Sequence, residues 1–129
     1  KADLCAPEGL PLGCALEVIS RVALEKAHRE GSLPHHREHV SPYIKEHSDA
    51  FSIVRFPTGL DPRYAAIRLT VDTEDDYRLA KILYEALYDG KPFSLRETIS
   101  YIDAHPELIE INKSIEQRPM THSSIGKTQ

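Results

Sequence analysis

The stretch "RLTVDTEDDY", residues 68–77, carries the strongest fold signal in this 129-residue chain. Residues 65–71 have the apolar, β-branched composition of a strand, and residues 75–88 have the spacing of an amphipathic helix. Four acidic residues crowd the junction between the two segments: Asp72, Glu74, Asp75 and Asp76. The junction therefore predicts a strand followed by a helix, with a group of carboxylates at the turn.

These carboxylates have two candidate roles. Negative charge in the first turn of a helix is favoured by the helix dipole, which accounts for Glu74, Asp75 and Asp76 without a ligand. Asp72 differs because it lies just before the cap, at the carboxyl end of the predicted strand, where open α/β sheets place ligand-binding groups. A carboxylate there either caps the turn or ligates a hard cation such as Mg²⁺ beside phosphate oxygens. The position alone leaves both roles open.

Composition and charge limit the class of protein. A chain of this length that is 40% hydrophobic predicts one compact domain with one core. The net charge is -4, so the chain lacks the basic surface that nucleic acid or anionic lipid requires. No apolar run reaches membrane-spanning length, and no leader pattern is recognised. Two cysteines, Cys5 and Cys14, are too few for a disulfide framework, which predicts a cytoplasmic setting.

The other elements follow from capping signals and apolar periodicity. Ser20 and Gly31 bracket one helix, Ser41–Pro42 begins a second, and Ser94 with Glu97 forms a capping box for a later one. The polar segment 32–40 is predicted to be a connection. We predict further strands at 14–20 and 51–56, and helices at 21–30, 42–47, 75–88, 95–102 and 106–111.

Both ends of the chain carry few structural signals. The chain begins at Lys1 without an initiator methionine, and residues 6–13, "APEGLPLG", are rich in proline and glycine, which predicts no packed element there. After Asn112 the apolar pattern ends, so residues 113–129 are expected to form a tail or an arm. We therefore expect that part of the functional protein is absent from this chain.

The segment "HHREH", residues 35–39, is the second candidate site. His35 and His39 have the four-residue spacing of two zinc ligands on one helical face. No glutamate lies between them in the metalloprotease pattern, and no third ligand is recognised, so we predict that this segment is not a zinc site. Arg37 either pairs with Glu38 or presents its guanidinium to a sugar carboxylate or phosphate. The spacing does not decide between these two.

Several motifs in their order along the chain resemble a known family. They are "LEVIS", "REHVSPYIKEH", "IRLTVDTEDDYRLAKILYEAL", "FSL" and "IEIN". Together they resemble the C-terminal half of the spore-coat-polysaccharide type cytidylyltransferases, relatives of the acylneuraminate and 3-deoxy-octulosonate cytidylyltransferases. The similarity runs from Leu12 to Asn112.

The resemblance implies a fold, an activity and a set of site residues. It implies part of a Rossmann-like α/β nucleotide-diphospho-sugar transferase fold over residues 1–112, with a small sheet flanked by helices. The implied reaction joins CTP to an acidic or activated sugar in surface polysaccharide biosynthesis. Asp72 then corresponds to one of two carboxylates that hold Mg²⁺. Arg37, Glu38 and His39 face the sugar or a neighbouring subunit of a homodimer.

The chain also departs from the family. The family's N-terminal half supplies the first strand, the basic CTP-binding loop and the other metal carboxylate, and none of these is recognised here. No Gly-rich phosphate loop is present in the sequence either. We therefore expect no catalytic residue in the isolated chain and no activity from it alone. The alternatives are a non-catalytic scaffold or dimerisation module with this fold, and a small zinc domain built on His35 and His39.

Overall fold

A computed structural model of the protein describes residues 1–117. Within these residues the chain forms three strands, five α-helices and two 3-10 helices. The strands are β1 (Leu4–Glu8), β2 (Val18–Ile19) and β3 (Ile53–Pro57). The α-helices are α1 (Arg21–Glu30), α2 (Pro34–Glu38), α3 (Pro42–Glu46), α4 (Glu74–Leu87) and α5 (Leu95–Ala104), and the 3-10 helices are Pro62–Ala66 and Pro106–Ile111. No helix in this described part is both long and apolar enough to cross a bilayer.

The described residues form two compact units. The first contains residues 1–6, 17–56 and 116–117, and the second contains residues 7–16 and 57–115. Each unit has its own cluster of buried apolar side chains. The sequence predicted a single core, and the structure has two such clusters because the buried faces of the early helices and of α4 and α5 pack within separate units.

The first unit is built on a small sheet with the strand order β2-β1-β3. β1 and β2 are antiparallel, with Leu4 opposite Ile19 and Cys5 opposite Val18. Leu4 and Ala6 alternate with Cys5 and point into the core, although the sequence predicted no packed element in residues 6–13. That core contains Leu4, Ala6, Ala23, Ala27, Ile44 and Phe51.

Three helices accompany this sheet. The Ser20 hydroxyl accepts a hydrogen bond from the Ala23 amide, 3.1 Å long, so the predicted N-cap of α1 is confirmed. α3 begins at Pro42 as predicted. α2 was not predicted, because its polar residues gave no apolar periodicity. It forms after Leu33, where Pro34 occupies the first helical position with a backbone already suited to a helix.

The second unit contains α4 and α5, which begin as the sequence predicts. Thr73 and Asp76 form the capping box of α4, and Ser94 and Glu97 form that of α5. The buried apolar side chains of this unit come from both α-helices and from the segments around them: Ile67, Leu79, Leu83, Ile102 and Leu108. The predicted last helix is present as the 3-10 helix Pro106–Ile111.

The predicted strand at residues 65–71 is wrong. Its first residues belong to a 3-10 helix, and Arg68 forms only an isolated parallel bridge with Leu12. The pairing does not continue beyond Leu12 because the chain turns at Gly13, whose φ is 94°, and the Cys14 amide donates to the Pro11 carbonyl oxygen instead. Asp72 therefore follows an extended segment with one bridge and not the end of a regular strand.

Candidate functional site

The candidate site lies in the second unit, where Arg68 meets the carboxylates of the helix start. We call Arg68, Asp72, Asp76 and Asn112 the Arg68 cluster. Arg68 approaches from the segment that pairs with Leu12, Asp72 and Asp76 flank the N-cap of α4, and Asn112 follows the last 3-10 helix. The cluster therefore joins Asn112 to residues of the segment 68–76 that lie at least 36 positions earlier.

Asp76 is the buried centre of this cluster. Its carboxylate accepts five hydrogen bonds, from Arg68 Nε and Nη2, Asn112 Nδ2 and the amides of Asp72 and Thr73. The Arg68 guanidinium is the main reason why the pKa of Asp76 lies far below its usual range, and the bonds from Asn112 and the backbone act in the same direction against burial. Asp76 is thus ionised and has a structural role, since hydrogen bonds from the protein already occupy both of its carboxylate oxygens.

Arg68 is held on several sides. Its side chain is only 8% exposed, and its Nε and Nη2 lie 2.8 and 3.0 Å from the two Asp76 oxygens. This pairing raises the pKa of Arg68. Asn112 Nδ2 donates to the Arg68 carbonyl oxygen at 3.0 Å and to Asp76 Oδ1 at 2.8 Å. A buried cation with this many partners has a fixed orientation and positions whatever else it contacts.

Asp72 is the part of the cluster that faces solvent. Its side chain is 55% exposed, and its Oδ2 accepts from Arg68 Nη2 at 2.7 Å. Within residues 1–117 no hydrogen bond reaches its other oxygen, Oδ1. Two carboxylates share one guanidinium here, so the cluster carries an excess of negative charge. The residues fit a Mg²⁺ ion held by one protein carboxylate together with phosphate oxygens and water.

A cavity of about 320 Å³ borders the cluster. Its lining is mostly apolar and includes Leu69, Leu79, Ala80, Leu83, Phe93 and Leu95. The charged lining residues are Arg68 and Asp76, and Tyr84 and Thr98 add hydroxyl groups. Burial raises the pKa of the Cys14 thiol, which makes it a poor nucleophile at neutral pH. The cavity therefore suits an apolar part of a ligand, next to the ion pair between Arg68 and Asp76.

The other predicted site residues lie at the end of α2 in the first unit, with His39 as the residue that follows the helix. Arg37 Nη1 donates to the His28 carbonyl oxygen at 2.9 Å, and no Arg37–Glu38 ion pair is found in the described range. Glu38 is exposed, and His39 ends the helix by donating its amide to the His35 carbonyl. The structure thus places Arg37, Glu38 and His39 in one short segment, distant in sequence from Asp72.

The sequence did not reveal which partners these residues have. The capping pattern identified Asp76 as a helix-start residue, but nothing in the spacing showed its ion pair with Arg68, eight positions earlier. Asn112 gave no signal beyond the end of the apolar pattern. The imidazole of His35 contacts Glu46 and not His39, a pairing that the four-residue spacing could not show.

Comparisons with known proteins agree with part of the resemblance. No protein-family model matches the chain. The chain is 31% identical over 116 residues to an uncharacterized protein of Methanocaldococcus jannaschii, covering 90% of this chain and 47% of that protein. It is also similar to the solved structure of a cytidylyltransferase from Leptospira borgpetersenii serovar Hardjo-bovis (strain JB197), with a TM-score of 0.74 and 28% identity.

That structural match covers 90% of this chain and 48% of the cytidylyltransferase. The chain thus spans about half the length of both relatives. The predicted fold class is confirmed: a mixed α/β structure with a small sheet flanked by helices, as in part of a nucleotidyltransferase. The chain is similar to part of a cytidylyltransferase, whereas the spore-coat type stays a prediction.

Proposed function

We propose that this chain is the sugar-side and subunit-contact portion of a CTP-dependent sugar nucleotidyltransferase in surface polysaccharide biosynthesis. The observation that carries the proposal is the structural likeness to a cytidylyltransferase over 90% of the chain. The sequence motifs from Leu12 to Asn112 are the basis for proposing a cytidylyltransferase of the spore-coat-polysaccharide type. The reaction joins CTP to an acidic or activated sugar and releases pyrophosphate.

In the whole protein Asp72 is proposed as a Mg²⁺ ligand. Arg68 holds Asp72 Oδ2, and the exposed side chain leaves Oδ1 accessible, so the orientation of the carboxylate is set before a ligand arrives. Asp76 is excluded from this role because five donors already occupy its oxygens. A bound Mg²⁺ would offset the charge that develops on the leaving pyrophosphate.

Arg37, Glu38 and His39 are proposed as the residues that face the sugar. Arg37 is exposed, and one of its guanidinium nitrogens is fixed on the His28 carbonyl, which leaves its other N–H groups to bind a carboxylate of an acidic sugar. Glu38 is exposed beside it and suits sugar hydroxyls as an acceptor. These roles are proposed for the whole protein, because this sequence contains no Gly-rich phosphate loop of the kind that commonly holds a nucleotide.

Asp72→Asn in the complete protein tests the proposed metal ligand. A neutral amide of almost the same shape binds Mg²⁺ poorly, so pyrophosphate release from CTP and an acidic sugar should fall at least roughly tenfold. The test sugars are an acylneuraminate and 3-deoxy-octulosonate. Asp75→Asn is the matched control, since Asp75 is an exposed acidic residue in the first turn of α4 and should keep full activity.

Two results would contradict this role. Full activity of the Asp72→Asn protein with a normal thermal transition would return Asp72 to a turn-capping role. A complete protein that binds no CTP and releases no pyrophosphate with any sugar would favour the alternative function, a non-catalytic scaffold or dimerisation module.

Arg37→Ala tests the sugar-facing segment separately. The KM for the acidic sugar should rise while the KM for CTP stays unchanged, because the lost charge is proposed to contact only the sugar. Arg29→Ala removes an exposed arginine from α1 and serves as the matched control. Equal KM values for the sugar in the two variants would remove Arg37 from the substrate site.

A further inference from the structure

Three side chains in the first unit converge on one point outside the Arg68 cluster. His35 Nε2 lies 2.7 Å from Glu46 Oε1, and His36 Nε2 lies 2.7 Å from Glu46 Oε2. One donor atom from each residue lies within 4.8 Å of the other two. We call these residues the His–His–Glu cluster. Two imidazoles from adjacent residues thus form hydrogen bonds with one carboxylate.

The local fold explains why adjacent histidines face the same way. Gly31 ends α1, and a Cβ there would lie 3.1 Å from the His36 Cβ, so the absence of a side chain lets His36 pack against the end of α1. The Tyr43 ring packs edge-on against the His36 ring with centroids 5.2 Å apart. Tyr43 is held in turn by its hydroxyl, which donates to Glu30. The position of His36 is therefore fixed from two sides.

Burial separates this cluster from an ordinary surface ion pair. The side chains of His35 and His36 are only 12% and 4% exposed, whereas Glu46 is 37% exposed. The imidazoles are withdrawn from solvent, and the carboxylate forms the open side. Hydrogen bonds from His36 and then from His35 lower the pKa of Glu46, so the carboxylate is ionised at neutral pH.

We propose that the His–His–Glu cluster is a Zn²⁺ site. Two imidazole nitrogens and one carboxylate are the donor set that Zn²⁺ takes when it keeps a fourth, open position for water or another ligand. Zinc bonds of about 2.0 to 2.1 Å at tetrahedral angles separate the ligand atoms by about 3.3 Å. The present N–O separations are shorter by about half an ångström, and the two imidazoles contact different oxygens of Glu46, so the side chains must rotate to place their ligand atoms around one ion.

Binding requires a proton to change place on each ring. An ionised carboxylate only accepts hydrogen bonds, so both Nε2 atoms now carry a proton, and metal binding moves it to Nδ1. His36 Nδ1 accepts a 3.3 Å hydrogen bond from the Leu33 amide, and this bond is lost when the ring binds metal. The His36 Nδ1–H would then face the Leu33 amide, which is also a donor, so the two groups must separate enough for water to accept from each of them.

The site changes the interpretation of the "HHREH" segment. The sequence predicted no zinc because it showed no third ligand, and the structure supplies one in Glu46, eleven positions after His35. His39 takes no part in the cluster. A bound ion would tie α2 to the end of α3 and so fix the segment that carries Arg37. The site does not depend on the proposed transferase activity.

Calorimetric titration of Zn²⁺ into the metal-free chain tests the proposal. We expect one site per chain with micromolar or tighter affinity. His36→Ala and Glu46→Gln should each weaken binding at least roughly tenfold. His39→Ala is the matched control and should bind as the unmodified protein does, because His39 lies in the same segment outside the cluster.

A variant could also lose Zn²⁺ binding because it is less stable. Thermal unfolding with and without Zn²⁺ separates loss of binding from loss of stability. Zn²⁺ should raise the Tm of the unmodified protein and of His39→Ala by similar amounts and that of Glu46→Gln by less, since a ligand stabilises the folded state in proportion to how tightly that state binds it. Absence of stoichiometric binding to the unmodified protein would overturn the site. Binding by the Glu46→Gln and His36→Ala proteins as tight as that of the unmodified protein, or loss of binding in His39→Ala alone, would overturn it as well.

Discussion

Arg68 and Asp76 form a paired contact in the second unit, with Nε 2.8 Å from Oδ1 and Nη2 3.0 Å from Oδ2. The same Nη2 also donates to Asp72 at 2.7 Å. One guanidinium thus serves a buried carboxylate and an exposed one. The two acidic residues, four positions apart, have separate roles: Asp76 stabilises the start of α4, and Asp72 is held in place while remaining accessible.

The first prediction concerns stability at acidic pH. Because the pKa of Asp76 is lower in the folded protein than in the unfolded chain, its contribution is complete above the unfolded value of about 3.9. The contribution is lost as the pH falls below about 4 towards the folded value. The free energy of unfolding, measured by urea denaturation at a series of pH values, should therefore decrease steeply on the acidic side.

Asp76→Asn should remove much of this acid dependence and lower stability at neutral pH. The variant leaves the buried Arg68 guanidinium without its main counter-charge, which costs about 3 to 5 kcal/mol. Asp75→Asn, at an exposed position of the same turn, should change the free energy of unfolding by no more than about 0.5 kcal/mol. Similar urea midpoints for the two variants would contradict a central structural role for Asp76.

The second prediction is that Asp72→Asn leaves stability almost unchanged. Its ion pair with Arg68 is half exposed, and exposed pairs of this kind contribute no more than about 1 kcal/mol. Urea denaturation at neutral pH measures the difference. A loss as large as that of Asp76→Asn would show that both carboxylates are needed to hold Arg68, and the division of roles between them would then be wrong.

The sequence predicted those features that depend on neighbouring residues. Ser20, Thr73 and Ser94 were identified as helix starts because a cap bonds to an amide a few positions away. The strand at 65–71 was wrong because a strand exists only if another segment pairs with it, and Leu12 offers one residue of pairing. The contact of His35 with Glu46 could not be predicted for the same reason, because it depends on how two separate helices pack together.

The third prediction tests the close approach of Gly13 to Thr70, beside the bridge between Leu12 and Arg68. Gly13 has a φ of 94°, and a Cβ there would lie 2.6 Å from the Thr70 amide nitrogen. Gly13→Ala should therefore lower the free energy of unfolding by more than about 2 kcal/mol, from both backbone strain and overlap. Gly90 has a similar φ of 100° with open space around it, so Gly90→Ala should cost about 1 kcal/mol. Equal losses of stability in the Gly13→Ala and Gly90→Ala proteins would mean that the backbone at Thr70 can move away from the added Cβ.

The fourth prediction is that the isolated 129-residue chain does not bind CTP tightly. Phosphate groups are commonly held by Gly-rich loops at helix starts, and the sequence contains no such loop. Calorimetric titration of CTP with Mg²⁺ should show no micromolar binding. Micromolar affinity that is lost in Asp72→Asn would show that this chain carries a nucleotide site of its own.

The last prediction is that the chain associates with itself as a two-fold dimer. β3 lies at the edge of the small sheet, and its Val54 and Phe56 side chains are 45% and 47% exposed. An edge strand with exposed apolar side chains is a surface that symmetric pairing commonly covers. The tail at 113–129 is a second candidate contact, although its Met120 and Ile125 lie outside the described residues. The family resemblance also implies a homodimer.

Light scattering over a range of protein concentrations distinguishes these contacts. Phe56→Lys should shift the mass from dimer to monomer, because pairing at β3 would then bury two uncompensated charges close to the symmetry axis. Val71→Lys, at an exposed apolar position in the second unit, should remain dimeric and serves as the matched control. A chain that ends at residue 117 shows whether residues 118–129 contribute to association. A monomer mass for the unmodified chain at every concentration would refute the dimer, and an unchanged dimer in Phe56→Lys would place the contact away from β3.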